Sequence, residues 1–95
     1  MKSLEESWNE FLDKPFPEGY AGEEIEGICL ATLDTVAAGC IDTFLDNSGR
    51  LDQQRISVLQ DCARDLHVIV KYLDGKAKDY FEQLQSLAER ILEAV

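Results

Sequence analysis

Gly27–Leu45, GICLATLDTVAAGCIDTFL, is the most apolar stretch of the chain, and Asp34 and Asp42 are its only charges. Apolar residues at Ile25, Ile28, Cys29, Leu33, Val36, Cys40 and Ile41 follow, closely, the three-and-four spacing of one helix face. Leu30, Ala37, Phe44 and Leu45 widen that face well beyond a single stripe. A helix that is apolar around most of its circumference packs on several sides. The stretch therefore reads as the buried central helix of a small all-helical domain. At about 1.5 Å per residue it spans roughly 28 Å, the width of such a domain. Its remaining side carries a ridge of small residues: Gly27, Ala31, Thr35, Ala38 and Gly39. Glycine inside a helix costs about 1 kcal/mol relative to alanine. Gly39 thus calls for a compensating close approach by another helix, from the same chain or from a second copy.

The boundaries of this helix are set by its neighbours. Glu23, Glu24 and Glu26 would occupy a first turn, where the helix dipole favours acids. Asp46-Asn47-Ser48-Gly49 is a cluster of turn residues with a glycine free to take a left-handed conformation. The spacing predicts a helix over about 23–46. Upstream, Ser3-Leu4-Glu5-Glu6 has the capping-box pattern, and Leu4, Trp8, Phe11 and Leu12 form a narrow apolar stripe. A short helix over about 3–13 follows, too short to persist without docking. Between the two lies KPFPEGYAG, residues 14–22, an irregular connector. Its prolines force extended backbone and its glycines permit positive φ. Phe16 and Tyr20 are large for a loop. They either cover an open end of the bundle or form a recognition surface.

Downstream, Leu59, Cys62, Leu66, Ile69 and Leu73 form a coiled-coil-like seam, placing a helix over about 51–74. Asp74-Gly75 is a short stop. Ala77, Tyr80, Phe81, Leu84, Leu87, Ala88, Ile91 and Val95 then stripe a last helix over about 76–94. The brief turn between these two helices makes them antiparallel neighbours. The expected fold is an all-α antiparallel bundle of three long helices plus a short N-terminal helix, one domain over 1–95.

Composition narrows the function classes. A net charge of −10 argues against nucleic acid and anionic membranes as partners, because phosphate recognition relies on Lys and Arg. The imbalance is uneven: residues 1–26 hold eight acids against two lysines, residues 27–95 eleven acids against seven bases. No charge-free run approaches the about twenty residues of a membrane span. MKSLEESW places glutamates where a signal peptide would be basic and then apolar. A cytoplasmic protein is expected. Cys29, Cys40 and Cys62 are odd in number, have no zinc-site spacing and sit among apolar residues. They read as small core hydrophobes.

Catalytic and metal-binding patterns are absent from the sequence. Its one histidine, His67, falls on the polar side of its helix. There is no Glu-x-x-His pair for a di-iron centre, no HExxH, no glycine-rich phosphate loop and no calcium-loop register. No cofactor, metal or enzymatic activity is expected. Asp34 and Asp42, the acids of this apolar stretch, diverge by about 80° around the helix axis. At least one is therefore expected to meet solvent and the other to pair with Arg55 or Arg64, with a site at Asp34 as the alternative. Three functional readings result. The first is a non-catalytic protein–protein interaction module that self-associates, as a homodimer for instance, through the small-residue ridge with Phe16 and Tyr20 beside it. The second is an acidic inhibitor or immunity-type protein that blocks a basic partner site. The third is a small ligand-binding bundle or enzyme with a site near Asp34.

Overall fold

A computed structural model describes residues 2–95. Its elements in chain order are α1 (Leu4–Leu12), β1 (Glu24–Ile25), β2 (Ile28–Cys29), α2 (Leu30–Asp46), α3 (Gln53–Ile69), a 3₁₀ turn (Val70–Tyr72) and α4 (Gly75–Ala94). The fold is an all-α bundle with a short N-terminal helix. Each of α2, α3 and α4 packs against the other two, while α1 lies on α4. Only six residues join α2 to α3 and five join α3 to α4. Those connections are too short to return along a 17-residue helix, so successive helices run antiparallel.

Local signals set most of the boundaries. Ser3 caps α1: its hydroxyl accepts from the Glu6 amide, and the Glu6 carboxylate accepts from the Ser3 amide. The α2 C-terminus closes with a bond from the Gly49 amide to the Phe44 carbonyl, the six-to-one bond of a Schellman turn. Its left-handed C′ position is filled by Ser48, at φ 57°, and Gly49 follows with a positive φ of 83°, as expected of the turn cluster. At the end of α3 the helix tightens into the 3₁₀ turn, and Leu73 is already extended.

The main departure from expectation is at the start of α2. Residues 23–29 do not continue the helix. Glu24 pairs with Cys29 and Ile25 with Ile28 in an antiparallel hairpin. Its two-residue turn, Glu26-Gly27, has φ of 53° and 77°. Positive φ at both turn positions matches the right-handed strand twist, and Gly27 makes the second position inexpensive. The Leu30 amide then bonds back to the Glu23 carbonyl, so the hairpin base doubles as the helix start. Ile25, Ile28 and Cys29 satisfy helical spacing only because three- and four-residue steps also suit this hairpin.

A second correction concerns the centre of the core. It is α4, in contact with all three other helices, that carries the fully covered Phe81, Leu84, Ala88 and Ile91. The large apolar groups of α2, Leu30, Leu33, Ile41 and Phe44, lie on one buried face, with Ala37 and Cys40. Its opposite side, with Thr32, Thr35, Val36, Gly39 and Asp42, is exposed. Three alanines raise the apolar count of α2 without adding much area that must be removed from water, and its threonines and glycine add little more.

An aromatic cluster joins α1 and the connector to this core. Trp8 stacks on Phe11 with ring centroids 5.8 Å apart, and Phe11 lies 4.7 Å from Tyr80. Phe16 meets Tyr80 and Phe81 edge-on at 5.7 and 5.9 Å. Such offset and edge contacts are the favoured arrangements of aromatic pairs. Phe16 thus covers the end of the bundle.

Candidate functional site

The five ridge residues do not share one surface. Gly27 is exposed at the hairpin tip, outside the helix. Ala31 and Ala38 are half-buried on the flank of α2 that also carries Asp34 and Leu45. That flank faces α4, because the Tyr80 hydroxyl donates to Asp34 Oδ1 at 2.8 Å. Thr35 and Gly39 remain exposed. A Cβ added at Gly39 would meet nothing within 4 Å, so no helix of this chain approaches it closely.

Thr32, Val36, Gly39 and Thr43 instead form a second line along α2, at steps of four, three and four residues. This is the seam spacing of helices that pack on a partner. None of the four is charged, and Val36 is 38% exposed, one of few large apolar side chains so placed. The Thr43 hydroxyl donates to the Gly39 carbonyl at 2.8 Å, which satisfies it within the helix. Beside the seam runs a groove between α2 and α3. Val36 and Val58 line both of its halves, of about 360 and 300 Å³. The sequence signal for this line was its heptad spacing. It was obscured because Val36 also fits the spacing of the buried face.

The three cysteines all belong to the α2–α3 side. Cys40 and Cys62 are buried, and burial raises both thiols, Cys62 to about 11. Cys29 is half-buried at the helix start. The Thr32 hydroxyl donates to its sulfur at 3.3 Å, and this contact, with the Thr32 amide, lowers its pKa. Among the described residues no group of three or more His, Cys, Asp or Glu is placed to hold a metal ion. His67 is exposed on α3 beside Gln85 of α4.

Asp34 pairs with neither Arg55 nor Arg64. Those arginines bind Asp52 and Asp61 of their own helix segment. Burial raises the Asp34 carboxyl, the Tyr80 hydrogen bond opposing it in part; burial and the Asp34 contact raise the Tyr80 phenol. Tyr80 also lines an open cleft of about 630 Å³ under the connector, with Pro15, Phe16, Tyr20 and Ala77. Asp34 is not among its wall residues. Phe16 and Tyr20 are half-buried against the core, so their rings serve as walls and cover at once.

Together these features define a small acidic helical bundle with an outer line on α2 that is uncharged from Thr32 to Thr43 and meets Asp46 at its next heptad position. No described helix is long and apolar enough to cross a membrane. Comparison with protein-family models, with curated proteins and with solved structures finds no match.

Proposed function

We propose that this chain is a non-catalytic protein–protein interaction module that associates with a second copy of itself through the outer seam of α2. The observation that carries the reading is the line of exposed Thr32, Val36 and Gly39 with half-buried Thr43, uncharged and in heptad spacing. Gly39 gives up helix propensity at an open position where nothing in its own chain requires a glycine. A helix from a second copy, seated on the seam, would supply the missing close approach. Val36 of one copy would then lie over Gly39 of the other in an antiparallel crossing. The arrangement is isologous, as expected of a two-fold dimer.

Light scattering at high micromolar concentration tests the reading. A dimer is expected for the natural sequence, and monomers for Val36→Asp and Gly39→Leu. Gln60→Leu, on the exposed side of α3, should leave the dimer intact. A monomer at all concentrations would sink the proposal. Ionic strength separates self-association from the reading as an acidic blocker of a basic partner. Two copies of a chain with net charge −10 repel, so their association should tighten as salt rises. Docking to a basic partner would weaken.

A further inference from the structure

Three of the nine basic residues, Lys2, Lys14 and Arg90, line one cleft of about 340 Å³ between α1 and α4. Its acid, Glu10, is held by Lys2 Nζ at 2.6 Å. Arg90 is half-buried, whereas Arg50, Arg55 and Arg64 are exposed. Its Nη1 donates to the Ser7 hydroxyl at 3.1 Å and its Nη2 to the Lys2 carbonyl at 3.3 Å. Both acceptors are neutral. Among the described residues neither Arg90 nor Lys14 forms an ion pair, although the chain carries nineteen acids. A charge drawn partly out of water normally acquires a counter-charge, because desolvation without one is costly.

We propose that this α1–α4 cleft binds a small oxyanion of the phosphate type. The Arg90 guanidinium carries five N–H donors in a fork that matches oxyanions, and two of its nitrogens are only singly engaged. Lys14 supplies a second charge, and Ser86 and Gln83 on the same wall supply neutral donors. The overall negative charge does not forbid binding. At physiological ionic strength charges more than about 8 Å away are largely screened, and within the cleft cations outnumber carboxylates three to one. The cleft shares no residue with the α2 seam, so the inference is independent of self-association.

The test is a titration of isotope-labelled protein, followed by amide NMR shifts, with sodium phosphate and separately with sodium acetate at matched ionic strength. Saturable shifts at Ser7, Gln83, Ser86 and Arg90 are expected with phosphate. Lys14→Met, on the exposed connector, should weaken binding about tenfold, as for loss of one charge-assisted hydrogen bond. Arg90→Lys should weaken it too, because an ammonium keeps the charge but not the fork. An equal response to acetate would assign the same oxyanion chemistry to a carboxylate source. No saturable shift at tens of millimolar phosphate would overturn the proposal. So would shifts of equal size around Lys71 and Lys78, or a Lys14→Met variant that binds as the natural chain does.

Discussion

Gly39→Ala separates the two costs that meet at the outer seam. The position lies inside α2, away from both ends, and a Cβ there would touch nothing within 4 Å. The substitution therefore gains helix propensity and reduces unfolded-state entropy, with no steric penalty in the isolated chain. The expected gain is about 1 kcal/mol, which for a domain of this size raises Tm by about 4–8 °C. The bond from the Thr43 hydroxyl to the Gly39 carbonyl involves only backbone on the glycine side and survives. Urea unfolding by circular dichroism at low micromolar concentration, where chains are separate, measures this term. Light scattering at high concentration measures the other, because a methyl group at the crossing of two seams should weaken association. A variant less stable than the natural chain at low concentration would refute the packing described for α2. A more stable variant with unchanged association would refute the role given to Gly39 in the seam.

Three further substitutions test other parts of the structure. Burial holds the Asp34 carboxyl above its ordinary value, so as pH falls the folded chain takes up this proton before the unfolded chain does. The group therefore favours folding on acidification, between its raised and ordinary values, and opposes it at higher pH. Asp34→Asn, which still accepts from Tyr80, should be at least as stable as the natural chain near neutrality. That advantage should shrink towards about pH 4 in urea titrations; an advantage that grows on acidification would contradict the assignment. Ser48→Gly should raise stability by about 0.5–1 kcal/mol, because Ser48 holds a left-handed conformation that glycine adopts without strain. Equal unfolding midpoints would count against the Schellman closure of α2. Phe11→Ala removes the ring between Trp8 and Tyr80 and should cost about 3–5 kcal/mol. Trp8, the one tryptophan and only 5% exposed, reports it directly: its emission should move to the red as α1 loosens.

The helices were legible where pattern and punctuation agreed. Ser3 and Glu6 marked the start of α1, and Leu59, Cys62, Leu66 and Ile69 gave the buried seam of α3 residue by residue. Ala77 to Ile91 did the same for α4. The start of α2 was not legible because the hairpin hides behind helical spacing. Two-residue strands are too short to show alternation, and Glu26 occupies a turn position where Asn or Asp is the usual signal. The order of burial was hidden for a different reason. Counting apolar letters ranks α2 first, yet α4 carries the larger rings and touches every other helix. Burial follows the area that must leave water, and alanine and glycine contribute little of it.

The same distinction between letters and area governs the site. Gly27, Ala31, Thr35, Ala38 and Gly39 share small size, but size alone does not place residues on one surface. The hairpin removes Gly27, and the Asp34–Tyr80 hydrogen bond turns Ala31 and Ala38 towards α4. Thr35 and Gly39 stay outside, and Asp42 shares their side. Two copies meeting along the original ridge would bring Asp42 of each into the contact. Moving the contact one row towards α3 takes Asp42 out of its centre and brings Val36 into it, leaving Asp46 at the C-terminal end of the row. On the seam, Val36 and Gly39 are three residues apart, a projecting side chain and an open backbone position on a single helix. An antiparallel two-fold puts each against the other, whereas a parallel one would set Val36 on Val36 and leave Gly39 facing Gly39. It also carries Asp42 and Asp46 of each copy away from their counterparts, towards the first turn of the other α2, where the helix dipole is positive. In the proposed dimer both packing and charge would therefore favour the antiparallel arrangement.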